Sequence, residues 1–554
     1  MKRKIVTLLL GAALAFASFM SFACNTKTNG GGSDSPDVLD IYGQIQGYDM
    51  KWLEPVAEAF KAEPWVKTKY PKLEVDISTN TVVGYAENQF TAGTKIDLAF
   101  TELAFRLYGK EYGRSPVLED LSDLYEKTVP GEEITLGEKM LPGYQESMKY
   151  IDTRGRTQYP SLPYVSGMIT IYYNADKLAA AGIEVPLTTD QLDAACAHFK
   201  TQDGYAIMGP TLNGSYWGYL YPLWWTQYEG YEAYGKFHEG KLKNNQDEWV
   251  LGTTGSDVMD SQPGRKLALE VAEQLLSIDK GNYLTEYAPA LDFMPAQDQF
   301  MTGSGAFYAM GDWFDSEMRA LRKQRLDKGE VLPVVRGMRV PIISAIIDKT
   351  PSITTDAKLA EVIKSIDLNK KTPADLNAAK QPGDPDVTQT DYDYIREARR
   401  VNYALGTRSA SIIPAYSPAK ELAKDFLLFM ATDKANALFT EATLGTPLPY
   451  KFDIAAKAPA LYASLNPSAK MVNEFFSNPD PLFAAKTIVD EAAYPLYMYA
   501  GHNAFRGLSH RRLEYFFTEE PPYTVTGSRG IYDITVASWN STSWNTALKN
   551  AMII

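Results

Sequence analysis

Strand and helix signals alternate along this chain, and that alternation restricts its fold more than any other feature. Val38 to Tyr42 (VLDIY) is a short strand candidate closed by Gly43, and Leu53, Val56, Ala57 and Phe60 form one apolar helical stripe after it. Leu73, Val75 and Ile77 alternate as a half-buried strand, and Ile96 to Phe100 (IDLAF) is a third. Gly167 to Tyr173 (GMITIYY) is a longer β run. It leads into Asn174, a good N-cap, and the helix Ala175 to Ala181, stopped by Gly182. Thr188 and Gln191 form a capping-box pair opening the next helix. Such alternation implies α/β layers with largely parallel sheets, in which ligands lie beyond the carboxyl ends of strands. A chain of 554 residues is too long for one core and suits two or three domains of ~100–200 residues each. Residues 365–392 are the weakest stretch for order, with the loop-like AAKQPGDPDVTQT near their end.

The amino-terminal segment has a different character. Lys2, Arg3 and Lys4 precede a run from Ile5 to Ala23 that carries no charge, so residues 1–23 read as an export signal. Small Ala23 directly before Cys24 resembles the lipobox of bacterial lipoproteins, where the cysteine is acylated and becomes the mature N-terminus. Ser21 and Phe22 depart from the Leu and small residue usual there. The alternatives are plain secretion, with Cys24 incidental, and an uncleaved anchor, since the run could just span a bilayer. Residues 24–36 continue as NTKTNGGGSDSP after the cysteine; they offer nothing apolar to bury and read as a flexible tether. A lipid-anchored domain on the outer face of the cytoplasmic membrane is the expectation.

Charge and chemistry narrow the function. With 55 Lys+Arg against 68 Asp+Glu the chain is acidic and has no basic cluster, which argues against nucleic acid or anionic lipid as ligand. With Cys24 acylated, only Cys196 remains, on the apolar face Leu192, Ala195, Cys196, Phe199, where it reads as a buried structural thiol. There is no GxSxG, HExxH or CxxC motif. Gly230 to Lys236 (GYEAYGK) spaces like a phosphate loop, but Phe237 stands where a magnesium-binding hydroxyl is required. His198, His238, His502 and His510 show no metal-ligand spacing, so neither metal nor cofactor is expected. Aromatics reach 12%, with 35 Tyr and 9 Trp; such side chains pair an apolar face with a polar edge and suit ring-shaped, hydroxylated ligands.

Four segments, in order, carry a resemblance. Tyr159 to Asp176 (YPSLPYVSGMITIYYNAD) ends like a Tyr-Asn-Lys-Asp crossover strand, and AGIEVPLTTDQLDAAC from Ala181 resembles a "Gly-Ile, Pro, Thr-Trp-Asp-Glu-Leu" turn into a helix. MTGSGAFYAMGDWF from Met301 resembles a "small residues, Ala-Met, Gly-x-Trp" segment, and SPAKELAKDFLLFMATD from Ser417 a Ser-Pro, Lys-Glu helix. Together they resemble the extracellular solute-binding proteins (family 1, sugar type) of bacterial ABC importers, which include maltose-binding protein.

The resemblance implies an α/β, type II periplasmic-binding-protein-like fold of two lobes joined by crossing strands. Segment matching places residues 37–158 and 332–449 in lobe one, with an insertion at about 348–411, and residues 159–331 and 450–554 in lobe two. Hinge segments are expected around Pro160–Val165, Val331–Val340 and Pro447–Lys451. The implied function is to bind a sugar or oligosaccharide and hand it to permease subunits, as a monomer and without catalysis. The alternatives are a non-sugar solute, such as a glycerol phosphodiester, a polyamine or iron, and an exported polysaccharide-processing enzyme with a carboxylate pair.

Strand ends of lobe one offer Gln44, Gln46, Thr101 and Glu102 as polar partners for ligand hydroxyls. In lobe two the family's stacking positions match Tyr216 and Trp217 in NGSYWGYL and Trp313 in MGDWF, with Asp312 as an acceptor beside it. Tyr164 lies in the crossover. Of the adjacent Trp224 and Trp225, at most one is expected to line the cleft.

Overall fold

The computed structural model describes residues 37–554 except 103, 114, 153, 210–215, 278, 289–290, 404–408, 489–493, 497–529, 531, 534–535, 538 and 552. The export signal, Cys24, the tether, His502 and His510 lie outside the described residues. Two main sheets are built from Val38–Gln44 (β1), Glu74–Asn80 (β2), Leu98–Thr101 (β3), Leu162–Pro163 (β4), Ile169–Asn174 (β5), Phe307–Gly311 (β6), Val335–Met338 (β7) and Ala410–Ile412 (β8).

The first sheet has the order β2-β1-β3-β8-β4. β1 runs parallel to both β2 and β3, whereas β8 lies antiparallel to β3 and to β4. Helix α1 (Leu53–Ala62) covers it with the expected stripe, Leu53, Val56, Ala57 and Phe60, all buried. The second sheet, β6-β5-β7, is antiparallel throughout. This corrects the expectation of largely parallel sheets. β5 is flanked by strands from far along the chain, and strand direction across such a gap leaves no local signal.

Local signals fare better. Helix α2 (Ala175–Ala181) starts at Asn174, whose side chain accepts the Lys177 N–H, and stops at Gly182 with φ 66°. Only a residue free of a Cβ adopts that left-handed cap without cost. Thr188 caps the next helix by accepting the Gln191 N–H, while the Gln191 side chain accepts from Leu187 rather than from Thr188. Cys196 is fully buried, and burial pushes its thiol well above the ordinary range. Both tryptophans of helix α3 (Leu220–Glu229) are core residues: Trp224 Nε1 donates to Pro341 O at 3.2 Å and Trp225 Nε1 to Gln262 Oε1 at 2.6 Å. Neither reaches the cleft. Helix α4 (Phe314–Asp327) begins three residues after β6 ends.

Three chain segments run side by side between the sheets. Ser166, between β4 and β5, bonds Pro447 O through both its N–H (3.0 Å) and its hydroxyl (2.8 Å). The Ile169 N–H bonds Tyr403 O at 3.2 Å. Pro449 O in turn accepts from the Leu141 N–H at 3.0 Å. The segment Val331–Val340, expected to be a hinge in which lobe one resumes at residue 332, is not such a crossing: β7 pairs with β5 inside the second sheet.

The helices after β7 explain why. Residues 365–392, expected to be the least ordered, hold the end of helix α5 (Asp356–Asp367), a short helix at Ala374–Ala379 and the start of helix α6 (Gln389–Arg400). These pack on the second sheet's side. Thr188 Oγ1 donates to Asp356 Oδ2 at 2.8 Å, and the Tyr394 hydroxyl bonds Tyr228 O in α3. Asp367 is clamped between Arg399 and Arg339, each at 2.8 Å. The chain therefore stays with the second lobe until about Tyr403 before returning to β8. Among the described residues no helix is long and apolar enough to cross a membrane.

Candidate functional site

Beyond the carboxyl end of β1 the chain turns sharply, with the Asp49 N–H bonded to Gln46 O at 2.8 Å. This turn presents Gln46, Gly47 and Tyr48 to the second lobe. Tyr48 is buried; its hydroxyl donates to Asp312 Oδ1 at 3.4 Å, and its ring lies edge-on to Trp313 with centroids 5.3 Å apart. Gly47 approaches the pyrrole side of the same indole so closely that a Cβ there would stand 2.4 Å from Trp313 Cδ1. From the second lobe Tyr216 meets Trp313 edge-on at 5.5 Å, and Tyr219 and Tyr403 extend the aromatic run.

The crossover contributes Tyr164, whose hydroxyl accepts from Gln46 Nε2 and whose ring stacks on Trp52 at 5.8 Å. Burial first, and then the charge of Glu102, raises the Tyr164 phenol; burial and then Glu317 raise that of Tyr216, with Glu102 adding to it. Glu102 is therefore in electrostatic reach of both sides. Of the sequence candidates the structure brings together Gln46, Glu102, Tyr164, Tyr216, Asp312 and Trp313.

Three candidates are placed otherwise. Gln44 and Thr101, expected to pair with ligand hydroxyls, are buried, and the Thr101 hydroxyl and the Gln44 Oε1 are taken up internally. Thr101 Oγ1 lies 2.9 Å from both Gln44 Oε1 and Glu87 Oε1, and Gln44 Oε1 also takes the Glu102 N–H at 3.4 Å. Their place is to hold Glu102 at the strand end. Trp217 lies deeper than Tyr216 and is 1% exposed; its indole nitrogen, without a hydrogen-bond partner, lies near Gly209, against which the Tyr308 ring also packs.

Two residues escaped the sequence reading. Tyr48 stands in the polar loop GQIQGYDM, and an isolated aromatic just past a strand end was an available signal. Glu317 stands one turn after Trp313 at the start of α4, and i, i+4 spacing puts the two on one helical face.

Asp312 is nine-tenths buried, and burial pushes its carboxyl up to about 7, against the opposing pull of the Met168 backbone and the Thr446 and Tyr48 hydroxyls. The lobes meeting as here thus hold a proton that a solvated Asp releases at about pH 4. That contribution to stability is present at mildly acid pH, declines as pH rises from ~4 to ~7, and is gone above it. Asp312→Asn is therefore expected to raise the melting temperature at pH 8 more than at pH 5. Equal shifts at both pH values would remove Asp312 as the titrating group.

Among the described residues no group of His, Cys, Asp and Glu is placed to hold a metal ion. A protein-family profile described as bacterial extracellular solute-binding protein matches residues 42–331, more than half of the chain. Solved structures share the fold at low identity. The GacH receptor of Streptomyces glaucescens, solved unliganded and with acarbose, aligns at 16% identity over 93% of this chain and 99% of that one, with a TM-score of 0.52. A chitin oligosaccharide binding protein aligns at 14% over 92% and 98%, with a TM-score of 0.52. Maltose-bound MalE3 of T. maritima aligns at 17% over 90% and 98%, with a TM-score of 0.50. No curated protein matches the sequence.

Proposed function

We propose that this chain, which belongs to the bacterial extracellular solute-binding protein family, takes a sugar or oligosaccharide between its lobes and delivers it to the membrane subunits of an ABC importer. The observation that carries the sugar reading is the meeting of aromatic rings and polar groups from both lobes: Gln46, Tyr48 and Glu102 on one side, Tyr216, Asp312 and Trp313 on the other. A sugar ring offers C–H faces to aromatics and hydroxyls to carboxylates and amides, and this lining supplies both. Proteins that share the fold have been solved with acarbose and with maltose, and a third binds chitin oligosaccharide.

A carrier needs no nucleophile. Binding energy acts only on the balance between lobes apart and lobes together, and the segments at Tyr164–Ser166, Tyr403 and Pro447 are placed to flex. Calorimetry with a panel of neutral, amino and acidic oligosaccharides is expected to find a ligand, and small-angle scattering with that ligand to give a smaller radius. A panel without a binder defeats the sugar reading; a binder that leaves the scattering curve unchanged defeats closure.

Delivery is proposed to start from a lipid anchor at Cys24. Two or three acyl chains on one residue hold a protein to a bilayer where a single chain is marginal. Metabolic labelling with a radioactive fatty acid is expected to mark the natural chain and to be lost in Cys24→Ala. Equal label in both would sink the anchor and leave plain export.

A further inference from the structure

Beside Glu102 and Asp312 the cleft holds a third carboxylate, Glu317, more than one neutral sugar needs as partners for its hydroxyls. Glu317 lies on the same helical face as Trp313, and its backbone N–H bonds Trp313 O at 3.0 Å. Its Oε2 accepts from Gln297 Nε2 at 2.7 Å. Burial pushes the Glu317 carboxyl up to about 7, with Gln297 opposing and the charge of Glu102 across the cleft adding to it. The ion pairs of its helix, Arg322 with Asp315, Lys323 with Asp327 and Arg325 with Asp298, leave it aside. Among the described residues no Lys or Arg pairs with either Glu317 or Asp312.

Near Glu317 three buried polar atoms lack partners: an amide oxygen that accepts, a phenol hydroxyl that can donate or accept, and an indole N–H that donates. Gln297 is fully buried, and while its nitrogen serves Glu317 its Oε1 has no partner. The Tyr308 hydroxyl, 1% exposed and in electrostatic reach of Glu317, also has none. An unpartnered donor beside Tyr308, Trp217 Nε1, suits a ligand hydroxyl. Tyr216, in electrostatic reach of Glu317 and Tyr308, meets Trp313 edge-on, and ring faces attract cations. An ammonium group brings three donors and a positive charge, which is what a carboxylate, an amide oxygen and a phenol oxygen among aromatic rings lack.

We infer that the recess formed by Glu317, Gln297, Tyr308 and Tyr216 receives an ammonium group of the ligand, so that the preferred cargo is an amino sugar or an oligosaccharide of amino sugars. This rests on the sugar reading and names the class of sugar.

The test uses three β-1,4-linked series that differ only at C2: glucose, N-acetylglucosamine and glucosamine, each as di-, tri- and tetrasaccharide. Calorimetry at pH 7.5 with the mature chain is expected to give at least tenfold tighter binding for the best glucosamine oligomer than for its two neutral counterparts. In Glu317→Gln, which keeps the shape and the bond to Gln297, that ratio is expected to fall to within about twofold. Neutral oligomers binding as tightly as the amine series overturn the inference and leave the sugar reading standing. A preference for the amine that survives in Glu317→Gln overturns the assignment to this recess. No binding in any series overturns the inference, while the sugar reading stands or falls by the wider oligosaccharide panel.

Discussion

Trp52→Ala is expected to cost about 3–5 kcal/mol of folding stability, the range typical of deleting a large aromatic from a packed core. Trp52 is 0% exposed and immediately precedes α1. Its ring meets Phe100 of β3 edge-on at 5.0 Å and Phe439 edge-on at 4.9 Å, and stacks on Tyr164 of the crossover at 5.8 Å. One side chain thus ties the end of the first sheet, a helix from late in the sequence and the segment leading to the second lobe. Its indole nitrogen has no hydrogen-bond partner, so truncation strands no polar group and the loss is one of packing. Urea titration of the ligand-free chain measures it. A loss under about 1 kcal/mol would mean that the surrounding rings collapse into the gap, and that Tyr164 is not held in place by Trp52.

How much of the fold was legible in the sequence depends on the range of the interaction responsible. The caps at Asn174 and Gly182, the stripe on α1 and the burial of Cys196 depend on neighbours a few residues away, and all appear as expected. The antiparallel second sheet does not, because β5 meets β6 and β7 only through distant return of the chain. The same limit explains the return crossing at Tyr403 instead of Val331–Val340. Segment matching reads residues 348–411 as an insertion in lobe one, yet Asp367, Asp356 and Tyr394 each bond to the second lobe.

Aromatic residues show the limit most clearly. Tyr216, Trp217, Trp224 and Trp225 occupy one short stretch with similar composition around each. Tyr216 alone among them packs on Trp313; Trp224 and Trp225 spend their N–H groups on core partners. Which aromatic faces a cleft is decided by the partner lobe, which no local pattern records. Gln44 and Thr101 make the same point for polar residues: strand-end position was legible, but their use in holding Glu102 was not.

The largest effect on binding is expected from a residue with no side chain. Gly47→Val would place a Cβ 2.4 Å from Cδ1 and 2.7 Å from Cγ of Trp313, distances real Cβ atoms essentially never show. Gly47 is not among the glycines with positive φ, so no left-handed backbone bars valine, and the three atoms nearest the added Cβ all belong to Trp313 of the other lobe. Each lobe should fold as before, and the lobes should fail to meet. Affinity for the ligand is then expected to fall at least tenfold, about 1.4 kcal/mol, with the scattering radius at saturation staying larger than in the natural chain. Trp313→Ala alone is also expected to weaken binding at least tenfold, because it removes the ring shared by Gly47, Tyr48 and Tyr216. The two changes should not add. With Trp313 gone the valine has room, so the double variant is expected to regain the compact radius and to bind no worse than Trp313→Ala by itself. Losses that simply multiply would place the Gly47 effect outside the interlobe contact, and a Gly47→Val chain that closes and binds normally would show that Trp313 swings clear of the loop when ligand enters.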